Sequence, residues 1–314
     1  MPLNMPVVHP DMDILIQSRD PEAASDIHDE RRKWRVYSAR LSRPHPDSLA
    51  VHDEDVEVRG RTVATRIYRH KGATGLQPCV LYLHGGGFVK GDLDASDSIA
   101  WGYAHDSGAM VVSVDYRLAP ENPWPAGFDD CYDVLQALVE RPDHFGVDPT
   151  RIVVGGESAG GFLAASVSLR ARDEKLVDLA GQLIVYGAAG TADDSLSSSE
   201  FAEGFNLVSK DVEKYHRALF GKMENYRADP YAWPISNPDL SRLPPAFVHS
   251  AEIDPIRDDG RAYAARLLLA GNDVCYREAK GMLHGFLRAR FTGAAAKREY
   301  DAVISFIRNR IQTP

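Results

Sequence analysis

Apolar and polar positions change period along this chain. Between residues 12 and 42, Ile14, Leu15, Ile16, Trp34, Val36, Tyr37 and Leu41 stand among many charges. This spacing predicts two amphipathic helices, divided at Pro21, that need a surface to lie on. Pro44-His45-Pro46 then breaks the pattern. Val56 and Val58, followed by Arg59-Gly60 and then Val63, Thr65, Ile67 and Tyr68, read as two short strands joined at a glycine turn. Further on, short apolar strands at Val80-Leu81-Tyr82-Leu83, 110–114, 152–154, 183–186, 246–250 and 274–276 alternate with helical patterns over 97–108, 126–140 and 159–172, and again over 259–270. A last helix carries Tyr300, Val303, Ile304, Ile307 and Ile311 on one face.

Such alternation predicts an α/β fold: a mostly parallel central sheet of about eight strands flanked by helices, with the antiparallel hairpin at one edge. Residues 190–225 interrupt the rhythm, first Ser/Asp-rich and then helix-like through Val212, Tyr215 and Leu219. They are expected to leave the sheet and return near Asp229-Pro230. Insertions of this kind usually sit over the strand ends, where the ligand sites of α/β sheets lie.

Composition narrows the partners more than the fold. The chain has 314 residues, 44% hydrophobic and 26% charged, as a globular protein requires. Lys and Arg number 36 against 45 Asp and Glu, a net charge of −9. An acidic chain is a poor match for nucleic acid or for an anionic membrane surface. No apolar stretch is long enough to span a membrane, and the N-terminal residues lack a basic segment followed by an apolar run. The expected location is therefore cytoplasmic. Cys79, Cys131 and Cys275 lie far apart with no metal-ligand or redox spacing, and read as three buried small hydrophobes.

Candidate chemistry gathers in the loops that follow strands. Gly156-Glu157-Ser158-Ala159-Gly160 fits G-x-S-x-G between a strand and a helix, where a sharp turn would lift the serine hydroxyl off the sheet. Alone, the pattern also suits a structural or phosphate-binding turn. His84-Gly85-Gly86-Gly87 follows another strand, and three glycines let several amides face one point. His84 itself is expected to brace that loop. A serine needs a general base. Of the histidines after Ser158, His216 falls in the insertion and His249 inside a strand, whereas His284 sits in a glycine-flanked loop. The acid that orients it is expected on the loop after strand 246–250. Asp254 is the first choice, with Glu252 and Asp258 as rivals. Asp258 also suits the N-cap of the helix from 259.

These residues together resemble a known family. His84-Gly-Gly-Gly, Gly156-Glu-Ser-Ala-Gly-Gly, Asp254-Pro-Ile-Arg-Asp and His284-Gly-Phe, with Asp115-Tyr-Arg-Leu-Ala-Pro-Glu between the two glycine motifs, are similar to the bacterial hormone-sensitive-lipase-like (family IV) carboxylesterases of the α/β-hydrolase superfamily. The resemblance runs over roughly residues 50–314. It implies an α/β-hydrolase fold with a helical cap: N-terminal cap helices in 1–45, a catalytic domain in 46–189 and 226–314, and a cap insertion in 190–225. It implies Ser158 as nucleophile, His284 as base, Asp254 as acid, and the amides of Gly86, Gly87 and Ala159 as oxyanion donors. Glu157 stands where this branch more often has Asp or Thr.

The expected activity is a serine carboxylic-ester hydrolase acting through an acyl-enzyme on small esters, with short to medium acyl chains in a pocket partly lined by Phe88. It needs no metal and no organic cofactor. Lactones and activated amides suit the same machinery. A non-catalytic small-molecule receptor on this fold is the alternative from another class. Plant hormone receptors similar to the family lack the catalytic histidine, whereas Ser158, Asp254 and His284 are all present here. The open edge at 274–276 and the resemblance both leave room for a homodimer.

Overall fold

In the computed structural model, which describes residues 6–187, 190, 195–204 and 206–312, the N-terminal stretch forms α1 (Asp13–Gln17) and α2 (Ile27–Leu41). Asp26 caps α2 by accepting from the Asp29 amide at 2.9 Å. The hairpin of β1 (Leu49–Val58) and β2 (Arg61–His70) closes at Arg59-Gly60, both at positive φ (45° and 76°). That is the two-residue turn whose twist matches the strands. There follow β3 (Gln77–Leu83), α3 (Leu93–Ser107), β4 (Met110–Val114), α4 (Ala126–Glu140), α5 (Pro142–Phe145), β5 (Val147–Glu157) and α6 (Ala159–Asp173). The chain continues as β6 (Gly181–Val185), α7 (Leu196–Glu200), α8 (Ser209–Phe220), β7 (Ala246–Ile253), α9 (Arg257–Leu269), β8 (Val274–Leu283) and α10 (Ala294–Ile311).

The eight strands form one sheet in the order β1-β2-β4-β3-β5-β6-β7-β8, antiparallel at β1-β2-β4 and parallel from β4 to β8. This is the α/β architecture expected from the alternation. Central parallel strands are covered on both faces and so read as unbroken apolar runs. Val80 and Tyr82 face a core shared with α3 and α10, while Cys79, Leu81 and Leu83 face the core of α4 and α6.

Several local readings change. Helix α3 begins at Leu93 rather than 97 because Asp92 accepts from the Ala95 amide at 2.7 Å. Helix α9 begins at Arg257, so Asp258 lies inside its first turn. Asp258 is not the N-cap; its carboxylate instead accepts from the Ser197 amide at 2.9 Å. Cys79 and Cys131 are buried, but Cys275 is exposed, because β8 forms the open edge of the sheet. Of the insertion read over 190–225, residues 191–194 and 205 lie outside the described residues. Among the described residues, no helix is long and apolar enough to cross a membrane.

The N-terminal segment is tied to the rest by polar contacts. Asp11 accepts from the amides of Ala295 and Ala296, both at 2.9 Å, at the start of α10. Glu30 on α2 meets Lys90 at 2.7 Å and the Tyr215 hydroxyl of α8 at 3.0 Å, and also pairs with Lys214. Burial would raise the Glu30 carboxyl, but the ammonium groups of Lys90 and Lys214 outweigh it and hold the group at about 2.

Two outcomes follow from this packing. Leu81 is fully buried in β3; Leu81→Ala should cost about 2–5 kcal/mol in urea unfolding. The Glu30 value is depressed from 4.5 to about 2, so its stabilisation is present above about pH 4.5 and is lost as pH falls toward 2. Glu30→Gln should lower the unfolding free energy measured in urea at pH 7 by about 1–3 kcal/mol, and flatten the acid side of the stability–pH curve. An unaltered acid slope would count against the tie.

Candidate active site

The turn from β5 into α6 places Ser158 in a backbone conformation that a serine rarely takes, φ 56° and ψ −119°. Its neighbours leave no slack. A Cβ on Gly160 would sit 1.9 Å from the Leu83 carbonyl oxygen. Only glycine lets the elbow close on the end of β3 in this way. The Ser158 amide donates to the Val185 carbonyl at 2.9 Å, fixing the turn to β6 as well.

Ser158, His284 and Asp254 are brought into one hydrogen-bonded chain. Ser158 Oγ lies 2.8 Å from His284 Nε2, and His284 Nδ1 lies 2.7 Å from Asp254 Oδ2. Asp254 is fully buried, and its other oxygen accepts from the Ile256 amide at 3.0 Å. With Asp254 ionised, His284 carries its proton on Nδ1 and presents Nε2 as an acceptor to the serine hydroxyl. The rivals are elsewhere. Glu252 pairs with Lys280 and accepts from the Gly281 amide, and Asp258 pairs with Arg261. His249 is buried 2.9 Å from Glu299. His216 stacks edge-on to Trp233.

The glycine loop after β3 faces the same point. Gly86 has φ 137°, and a Cβ there would meet the Lys90 carbonyl oxygen at 1.9 Å. The amides of Val89 and Lys90 both turn back onto the Gly86 carbonyl. The amides of Gly86, Gly87 and Ala159 donate to no group among the described residues, and Ala159 opens α6, where unpaired amides favour negative charge. His84 stacks on Tyr116 with ring centroids 4.2 Å apart, and burial pushes its imidazole below the ordinary value. It is a neutral brace for the loop, as expected.

Beneath Ser158 lies a buried polar group that sequence reasoning missed. Glu157 meets the Tyr82 hydroxyl at 3.0 Å, the Tyr186 hydroxyl, and Arg288 at 3.1 Å. Burial would raise its carboxyl, but Arg288 and the two hydroxyls outweigh this and hold it below the usual carboxylate range. The Tyr186 ring in turn stands 4.9 Å from the His284 ring. Only the departure at Glu157 hinted at this, since Arg288 is 131 residues away.

Two clefts flank Ser158. One, with about 370 Å³ of empty space counting its mouth, is lined by Phe88, Ala159, Leu207, Val212 and Ile256 and is mostly apolar. The other, about 500 Å³ on the same measure, carries His284, Gly285, Trp34, Tyr37, Lys90 and Arg19.

Comparison with known proteins agrees with this arrangement. Residues 80–288 match the model of an alpha/beta hydrolase fold family. The chain is 38% identical over 252 residues to carboxylesterase NlhH of Mycobacterium tuberculosis, covering 79% of each. It is 31% identical over 272 residues to an ethyl acetate hydrolase of Pseudomonas putida, covering 85% of each. It superimposes on the structure of a bacterial heroin esterase with a TM-score of 0.92 at 30% identity, covering 99% of this chain and 100% of that one. A fold match this complete, with relatives this similar that are carboxylesterases, places the chain in the hormone-sensitive-lipase-like branch of the α/β-hydrolase carboxylesterases.

Proposed function

We propose that this carboxylesterase works through a Ser158-His284-Asp254 triad and an acyl-enzyme, on esters with short to medium acyl chains. The observation that carries the reading is the continuous hydrogen-bonded chain from Ser158 Oγ through His284 to Asp254. Ser158 attacks the ester carbonyl as His284 Nε2 takes its proton, and Asp254 holds the imidazole and stabilises the imidazolium. The amides of Gly86, Gly87 and Ala159 receive the oxyanion; each such donor is worth on the order of 10²–10³ in rate. His284 then protonates the leaving alcohol, and a water activated by the same histidine releases the acid.

Proton delivery also assigns the two clefts. The leaving oxygen must lie beside His284, so the alcohol occupies the cleft lined by His284 and Gly285. The acyl chain occupies the apolar cleft at Phe88 and Val212. Its small size, and a relative that is an ethyl acetate hydrolase, favour short acids. In this reading α2 and the described residues of the insertion over 190–225 act as a cap, α2 lining the His284 cleft and α8 lining both. The same reading extends to a cytoplasmic enzyme able to pair as a homodimer along the β8 edge.

Ser158→Ala should lower kcat on 4-nitrophenyl acetate by at least about 10³-fold, while the fold persists by circular dichroism. An organophosphonate should label Ser158 in the wild type; folded protein that stays unlabelled would sink the triad. Across nitrophenyl esters, kcat/KM should peak at acetate to butyrate. Val212→Phe should cost butyrate about tenfold relative to acetate, and an unmoved ratio would place the acyl chain elsewhere.

A further inference from the structure

The alcohol-side cleft holds more hydrogen-bond donors than the protein itself uses. Two of its cations are matched: Lys90 by Glu30 at 2.7 Å and Arg288 by Glu157 at 3.1 Å. Arg19, on the same wall, is exposed, and its guanidinium makes no ion pair or hydrogen bond among the described residues. Tyr37, beside it in the lining, is only 6% exposed, yet its hydroxyl has no hydrogen-bond partner among the described residues. The indole of Trp34 also lines the cleft, but its N–H is shut off from solvent, has no acceptor among the described residues and is closed to a ligand in the cleft. All three residues come from the N-terminal segment, in and around α1 and α2.

A single exposed arginine is ordinary on any surface. One that lines the same cleft as Ser158 and His284, together with a tyrosine hydroxyl that no described residue engages, is placed to act on what the cleft holds. Among the described residues of the lining, the Glu157 carboxylate is already taken by Arg288, Tyr82 and Tyr186, and the charge left unmatched is the guanidinium of Arg19. A guanidinium presents a planar fork that matches a carboxylate in two parallel hydrogen bonds. Aromatic rings from Trp34, Tyr37 and Tyr215 line the same cleft as Arg19 and Ser158.

We propose that Arg19, with the hydroxyl of Tyr37, recognises a carboxylate on the alcohol portion of the substrate, so that the preferred esters are short acyl esters of carboxylate-bearing alcohols or phenols. This rests on the assignment of the alcohol to the His284 side. The carboxylate leaves with the alcohol and takes no part in bond making. Arg19 is a specificity residue, acting on binding and on the orientation of the leaving group.

The test compares 4-acetoxybenzoate with 4-acetoxybenzamide, which differ in charge but share size and leaving-group type. The quantity read is the ratio of their kcat/KM values. Arg19→Gln should lower that ratio about tenfold, chiefly through KM for the anion, the change expected of one charge-assisted contact. Arg19→Lys should recover most of it, and Tyr37→Phe should lower it by a smaller factor. Raising salt should lower the wild-type ratio and leave that of Arg19→Gln nearly level. Arg32→Gln removes an equal charge from α2, where Arg32 is exposed and paired with Asp29, and should leave the ratio alone. An unmoved ratio in Arg19→Gln, or an equal fall in Arg32→Gln, would overturn the proposal. So would a wild type that hydrolyses the amide and rejects the acid. A wild type that hydrolyses neither compound and is not labelled at Ser158 would instead overturn the triad on which it rests.

Discussion

A serine held at φ 56° at the end of a buried strand is the constraint on which the rest of the site depends. Such a conformation costs about 1–3 kcal/mol and persists only where the surroundings over-determine it. Here they do so by backbone crowding. The Leu83 carbonyl fills the space a side chain at Gly160 would need, and the Val185 carbonyl takes the Ser158 amide. Three adjacent parallel strands, β3, β5 and β6, thus grip the elbow. Their register is set by apolar runs buried on both faces, so the hydrophobic core and the position of the Ser158 hydroxyl are one problem in packing.

Electrostatics completes what crowding begins. A carboxylate under the elbow would be costly if bare, since an unpaired buried charge loses several kcal/mol. Glu157 has Arg288 and two tyrosine hydroxyls, and Tyr186 passes the arrangement on to the face of His284. The Glu157–Arg288 pair thereby stands behind the Tyr186 ring that faces the imidazole. Asp254 supplies a second, directly bonded carboxylate. Asp254 bonds the ring directly and Glu157 reaches it only through Tyr186, so the two carboxylates do not compete for it.

What was legible in the sequence shares one property. The sheet, the hairpin, the Ser158 elbow and the glycine loop are each specified by residues close together in the chain, through a period of apolar positions or a glycine that the backbone demands. Asp254 was singled out ahead of Glu252 and Asp258 from position after a strand, and in the structure it alone of the three meets His284. What was not legible joins distant segments. Asp11 accepts from the Ala295 amide 284 residues later, at the start of a helix, Arg288 neutralises Glu157 across 131 residues, and Glu30 reaches Lys90 across 60. Each partner alone reads as an ordinary surface charge, and only the folded chain shows that it is spoken for. The exposure of Cys275 has the same origin, because edge or centre is a fact about strand order rather than about the strand.

Helices α2 and α8 and the glycine loop after β3 are coupled through one of those distant pairs. Lys90 closes the tight turn that begins at Gly86: its carbonyl crowds the Gly86 α-carbon, and its amide returns to the Gly86 carbonyl. Its ammonium is held by Glu30 of α2 and meets the hydroxyl of Tyr215 on α8. Any displacement of α2 or α8 therefore pulls on the residue that sets where the Gly86 and Gly87 amides point. Polar ties suit this position better than an apolar seam would. Charged hydrogen bonds are directional, so they fix the angle of the loop as well as its distance, and oxyanion donors lose much of their value when they are misaimed. The segments that line the clefts are by this means the same segments that aim the proposed oxyanion donors.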